Sequence, residues 1–136
     1  MQIKSNKLAK IWYNNLGDIM TNVGIDLVEI NRFKDKLNNA NFISLIFNPQ
    51  EIEYISKHNS LDTIAGLFAA KEALLKALKK GINNYSLKDI EIIHDDNNAP
   101  SILLHNSLKN DFDIKHISLS ISHDGNYATA IVLITM

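Results

Sequence analysis

The spacing of apolar and polar positions changes along the 136-residue chain, from mostly helical in its first half to alternating in its second. Leu8, Ile11, Trp12, Leu16 and Ile19 recur at helical spacing among Lys4, Lys7 and Lys10. That pattern predicts an amphipathic extension over 1–19 that packs on its own domain or on a neighbouring subunit. A disordered extension and a membrane-surface helix are the other readings, the last weakened by a short stretch and a sparse cationic face. No continuous apolar run follows the lysines, which argues against a secretory signal.

Val23-Gly24-Ile25-Asp26-Leu27-Val28 reads as a buried strand interrupted by one carboxylate. Ile30, Phe33 and Leu37 predict a helix over about 29–38, and Asn38-Asn39-Ala40-Asn41 a turn. The stretch from Phe42 to Phe47 is helical or irregular. Asn48-Pro49-Gln50-Glu51 is a helix start, with an Asn cap, proline in the first turn and Glu three residues after the cap. That helix should run to about Lys57. The longest helix is predicted over about 63–80, capped by Asp62 or Thr63 and ended by Gly81.

Beyond it, Ile90–His94 and Ser101–His105 flank the turn residues Asp95 to Pro100 and predict a hairpin, followed by a short helix over 106–110. Ile117, Leu119 and Ile121 alternate with Ser118, Ser120 and Ser122, and Asp124-Gly125 turns this strand into Tyr127–Ile134. The predicted fold is α+β, with helices packed on an antiparallel sheet. Residues 20–136 read as one domain.

Composition narrows the function classes. A net charge of −1 argues against bulk electrostatic binding to nucleic acid. With no cysteine, disulfides and thiolate metal sites are excluded, and the compartment stays open but consistent with cytosol. No apolar run approaches the roughly 20 residues that span a bilayer.

Three features stand out chemically. On the long helix, Leu67, Phe68, Leu74, Leu75 and Leu78 share one direction at about 100° per residue, and Lys71 falls among them. A lysine there needs a partner or a polar cavity, unless it snorkels from the end of the buried face. Glu72 and Lys76 lie at the margin of the stripe, ordered for an i,i+4 pair. Asp26 needs backbone amides, a cation or Lys71 itself, unless it caps the helix that follows. Ser118, Ser120 and Ser122 line one sheet face and lead to His123, a pattern that taken alone is better read as a solvated face. No phosphate-binding glycine loop, Gly-x-Ser-x-Gly elbow or His-Glu-x-x-His helix is present. With no cysteine and no paired histidines, oxygen ligands point to Mg²⁺ rather than zinc for any metal bound.

Gly24-Ile25-Asp26 followed by Phe68-Ala69-Ala70-Lys71-Glu72-Ala73-Leu74-Leu75-Lys76-Ala77 resembles the two-part signature of the 4′-phosphopantetheinyl transferases. The small size and the closing Ser-Ile-Ser-His strand point to its holo-[acyl-carrier-protein] synthase branch. Glu29, Arg32, Phe47, Glu51, Gly81-Ile82, Asp89-Ile90-Glu91 and Pro100 extend the resemblance over residues 20–134. The combination is specific, whereas either motif alone is weak.

The resemblance implies transfer of the phosphopantetheine arm of coenzyme A to a serine of acyl carrier protein, for fatty acid synthesis in the cytoplasm. It implies Mg²⁺ held by Asp26 and Glu72, with Glu72 or a water there taking the serine proton. It further implies coenzyme A contacts at Lys71, Lys76, Ser122, His123 and Pro100, carrier docking at Arg32, and a homotrimer with shared active sites. Leu67 departs from the pattern, standing where many relatives carry arginine, and Asn98-Ala99-Pro100 replaces a Gly-Lys-Pro turn. Residues 1–19 precede the usual start, near Met20. Two other readings compete. One is a non-catalytic α+β binding module in which Asp26 and Lys71 form a structural ion pair and Arg32 serves an acidic partner. The other is a different Mg²⁺-dependent nucleotide enzyme.

Overall fold

The structure, a computed structural model, describes residues 19–81 and 84–136; the helical pattern expected before Ile19 lies outside the described residues. Strand β1 (Thr21–Glu29) opens the fold and leads into a 3-10 turn (Ile30–Phe33). Helices α1 (Ala40–Ile46), α2 (Pro49–His58) and α3 (Leu61–Ala77) follow. A hairpin of β2 (Ile90–His94) and β3 (Pro100–Leu104), a short α4 (Asn106–Asp111), and a second hairpin of β4 (His116–Asp124) and β5 (Tyr127–Thr135) complete the chain.

Two antiparallel sheets form rather than one. β5 lies between β1 and β4, while β2 and β3 pair separately. In the larger sheet Asp26 lies opposite Ala130, which lies opposite Ile121 in turn. Side chains alternate across it. Val28, Ala128, Ala130, Val132 and Ile134 are buried beneath α3. Val23, Ile25, Leu27, Ile131 and Leu133 stand exposed on the opposite face, Leu27 at 64%. Among the described residues β1 is thus covered on one face only, where the expectation was a buried strand.

Helix α3 is apolar around most of its circumference and occupies the centre of the core, from Ile64 to Ala77. Its cap is Ser60, whose Oγ accepts from the Asp62 amide at 3.2 Å, rather than Asp62 or Thr63. It also stops before the predicted end. Lys79 takes a left-handed conformation (φ 58°), and the Lys80 amide returns to the Leu75 carbonyl at 2.9 Å. The expected helix over 29–38 is the 3-10 turn plus turns, closed by bonds such as Lys34 N–H to Asn31 O. Ile30 and Phe33, three apart, suit that tighter winding, and so short a segment gains little from propagating an α-helix. The capping box at Asn48 and Glu51 forms as predicted.

Lys71 and Glu51 meet inside the core, both side chains fully buried. Lys71 Nζ donates to Glu51 Oε1 at 2.6 Å and to the carbonyls of Ile46 and Leu87 at 2.9 Å each. Glu51 also accepts from the amides of Asn48 (3.1 Å) and Ile92 (3.0 Å). Burial pulls the lysine toward its neutral form and the glutamate toward its acid form, and their mutual attraction opposes both shifts. The assignment of Lys71 to coenzyme A is therefore corrected: all three of its donor directions are used within the core.

Gly24 sets how closely α3 approaches β1. A Cβ there would collide with the Ala73 carbonyl oxygen and lie 2.6 Å from the Ala77 amide nitrogen, both backbone atoms that cannot swing aside. Gly24→Ala should cost about 3 kcal/mol or more, at or above the usual range for overpacking, because the whole helix must lift. Urea denaturation of the two proteins measures it.

Candidate active site

The close contact at Gly24 brings the C-terminal half of α3 over β1. Asp26, two residues along the strand and on the same face as Gly24, meets the solvent-side flank of that helix. Lys76 Nζ donates to Asp26 Oδ1 at 2.8 Å. Asp26 Oδ2 is buried and has no hydrogen-bond partner among the described residues. Thr129 Oγ1 donates to the Asp26 carbonyl at 2.8 Å, fixing the strand at this point.

Glu72 faces the same spot. Its carboxyl is held above the ordinary range by burial, and next by the negative charge of Asp26, while Lys76 and Arg32 act in the opposite sense. The Asp26 charge thus bears on Glu72, while one Asp26 oxygen lacks a donor among the described residues. The i,i+4 pairing expected between Glu72 and Lys76 gives way to the bond between Lys76 and Asp26. Arg32, exposed on the 3-10 turn, lies 5.9 Å from the Phe33 ring centre and 6.0 Å from that of Phe68.

The residues fit a hard divalent cation. A buried carboxylate oxygen without a donor, beside a second carboxylate whose ionisation is resisted, is a site that positive charge would relieve. Among the described residues no group of three or more His, Asp or Glu side chains is placed to hold a metal. A cation at Asp26 and Glu72 would therefore keep most of its coordination positions for other ligands, as Mg²⁺ commonly does.

The other candidates lie elsewhere. α3 crosses the sheet diagonally: Gly66, near its start, packs on Ile121 of β4, whereas Ala73 and Ala77 pack on β1. At the β4 side, a cavity of about 330 Å³ is lined by His123, Pro100, Tyr54, His58, His94 and Leu67, among others. His123 Nδ1 lies 3.7 Å from Asp62 Oδ2. Ser122 points to the outer face of the sheet, opposite to His123. One chain therefore brings Asp26, Glu72 and Lys76 together, places His123 and Pro100 across the sheet, and leaves Ser122 behind it.

Sequence reasoning missed Tyr54, His58 and His94 as cavity residues. Tyr54 and His58 stand one turn apart on α2, and His94 ends a strand. Only the first pairing carries a signal, and it is a faint one.

A model of the 4′-phosphopantetheinyl transferase superfamily matches residues 22–132. The chain belongs to that superfamily. Within it, the similar proteins are holo-[acyl-carrier-protein] synthases. That of Thermoanaerobacter sp. (strain X514) is 46% identical over 111 residues, covering 78% of this chain and 80% of the relative. That of Caldicellulosiruptor saccharolyticus is 46% identical over 113 residues, covering 80% and 91%. The crystal structure of the Helicobacter pylori synthase in complex with coenzyme A is 37% identical, with a TM-score of 0.76, covering 82% of this chain and 98% of the other.

The crowding of carboxylates has a measurable cost. Because the folded protein raises the Glu72 pKa above its ordinary 4.5, the stabilisation tied to this group is present below that pH and is lost as pH rises through the raised value. Without divalent ions, Glu72→Gln should therefore melt a few degrees above the native protein at pH 7. The gap should narrow on acidification toward pH 4.5, as calorimetry would record.

Proposed function

We propose that this chain transfers the 4′-phosphopantetheine arm of coenzyme A to a serine of acyl carrier protein, converting apo to holo carrier for fatty acid synthesis and releasing 3′,5′-ADP. What supports the reading is that the two acids of the two-part motif bear on each other: the Asp26 charge resists ionisation of Glu72, and Asp26 Oδ2 lacks a donor among the described residues. Membership of the family and the likeness to a coenzyme A complex support it.

The serine oxygen forms a bond to the phosphorus nearer pantetheine while the diphosphate bridge breaks. Negative charge then develops on the leaving phosphate. Asp26 and Glu72 would hold Mg²⁺. When bound, that ion supplies charge neutralisation for the diphosphate oxygens. Glu72 is the group assigned to take the serine proton. Lys76, half-exposed and tethered only to Asp26, is free to turn its ammonium to a phosphate oxygen. Arg32, the only arginine of the chain, offers an exposed positive charge beside the site for an acidic carrier.

The assembly proposed is a homotrimer with shared active sites. The carboxylates sit toward the β1 edge and His123 toward the β4 edge, so a β1 edge meeting the β4 edge of the next copy makes a head-to-tail contact that can close into a ring. Val23, Ile25, Leu27, Ile131 and Leu133 give the outer face an apolar patch suited to burial between copies. No helix among the described residues is long and apolar enough to cross a membrane. The proposed setting is the cytoplasm, where a chain without cysteine has no disulfide to maintain. Residues 20–136 are proposed as the transferase domain.

Incubation with coenzyme A, Mg²⁺ and apo carrier should raise the carrier's mass by one phosphopantetheine arm, and an unchanged mass spectrum would refute the activity. Asp26→Ala and Glu72→Ala should each slow transfer by about 10²–10³-fold or more while leaving the fold intact. Light scattering should find three copies together. Ile25→Asp should shift the population to single chains and abolish transfer.

A further inference from the structure

Among the described residues, the cavity beside β4 is lined by three imidazoles and by no lysine or arginine. His58 comes from the last turn of α2, His94 from the end of β2 and His123 from the end of β4. Tyr54 stacks between two of them, its ring centre 4.0 Å from that of His58 and 4.0 Å from that of His94. His58 Nδ1 lies 2.8 Å from the Tyr54 carbonyl oxygen, to which it donates. The neutral His58 ring thus leaves Nε2 as its proton-accepting atom. His94 sits below its ordinary pKa, chiefly through burial and then through His58, with Asp95 opposing.

The charged groups around these rings are few. Asp62 lies beside His123, and Asp95 holds its own turn by accepting from the amides of Asn97 and Ala99. Lys57 is paired with Glu53 at 3.1 Å. Leu67, at the position where the family resemblance leads one to expect arginine, lines this same cavity. Among the described residues, no fixed cation takes its place in this lining.

Coenzyme A carries one phosphate apart from its reacting diphosphate. The diphosphate belongs with Asp26, Glu72 and Lys76, so the 3′-phosphate requires donors elsewhere. We propose that His58 and His94, with His123, take that 3′-phosphate, so that affinity for the nucleotide end is set by protons on imidazoles rather than by a permanent charge. This rests on the transfer reading above. Burial favours the neutral His94 ring in the empty cavity, whereas a phosphate dianion favours charged imidazoles, so binding draws in protons near neutral pH. The phosphate itself becomes more anionic as pH rises, which acts in the opposite direction. A falling preference for the phosphorylated ligand with rising pH therefore reports the protein.

The test compares kcat/KM for coenzyme A and dephospho-coenzyme A between pH 6.5 and 8.5. Alongside it, calorimetry measures binding of 3′,5′-ADP and of 5′-AMP in buffers of different ionisation enthalpy. In the native protein the preference for coenzyme A should fall roughly tenfold across that range, since imidazoles lose their protons there. 3′,5′-ADP, unlike 5′-AMP, should bind with proton uptake at pH 7. His58→Gln/His94→Gln should show a low preference that no longer varies with pH, and His94→Gln alone an intermediate slope. Turnover of dephospho-coenzyme A in the same preparations reads folding. A pH-independent preference in the native protein, an unchanged slope in the double variant, or binding without proton uptake would each overturn the assignment. Failure of both donors to react would instead refute the transfer activity, leaving the calorimetry to judge the cavity.

Discussion

The approach of α3 to β1 is the constraint on which the site depends. A strand acid and a helix acid can share one ion only if the backbones carrying them nearly touch, and Gly24 permits that contact. The small residues Ala73 and Ala77 provide the matching surface on the helix. This closeness has an electrostatic price: Asp26 and Glu72 repel each other, one oxygen is left without a donor, and Lys76 is drawn in as a counter-charge. The arrangement is poor for stability and good for holding a cation, a compromise typical of functional sites.

Besides its apolar packing, α3 is tied to its surroundings by the ion pair between Lys71 and Glu51. It joins the residue just before Glu72 to the start of α2, the 3-10 turn at Leu87–Asp89 and the first strand of the small sheet. Each polar atom of the pair has its partner, the condition under which a buried charge is tolerated. Adjacent residues on one helix thus take opposite roles. Lys71 turns inward and anchors, while Glu72 turns toward the candidate site.

Much of this was legible in the sequence because it is local. Periodicity located α2, α3 and both hairpins, and the Asn48–Glu51 capping box is written in four letters. The two-part motif named Asp26 and Glu72 before any geometry was known. Partnerships across the chain were not legible. Nothing in the spacing says that Lys71 chooses Glu51 over Asp26, since both acids precede it and only packing decides. Nor could the apolar run of β1 say that its second face is uncovered by the other described residues, because a strand covered on both sides and one covered on a single side can have the same composition. The imidazole cluster stayed hidden because His58, His94 and His123 come from three separate elements.

The separation of the carboxylates from His123 across the sheet has a genetic corollary under the proposed assembly. A copy damaged at Asp26 still carries a sound β4 edge, and a copy damaged at His123 still carries a sound β1 edge. Mixed rings of two such defective chains would contain some junctions where both edges are intact. Two alleles, each inactive alone, would then complement one another, whereas two lesions on the same edge would not.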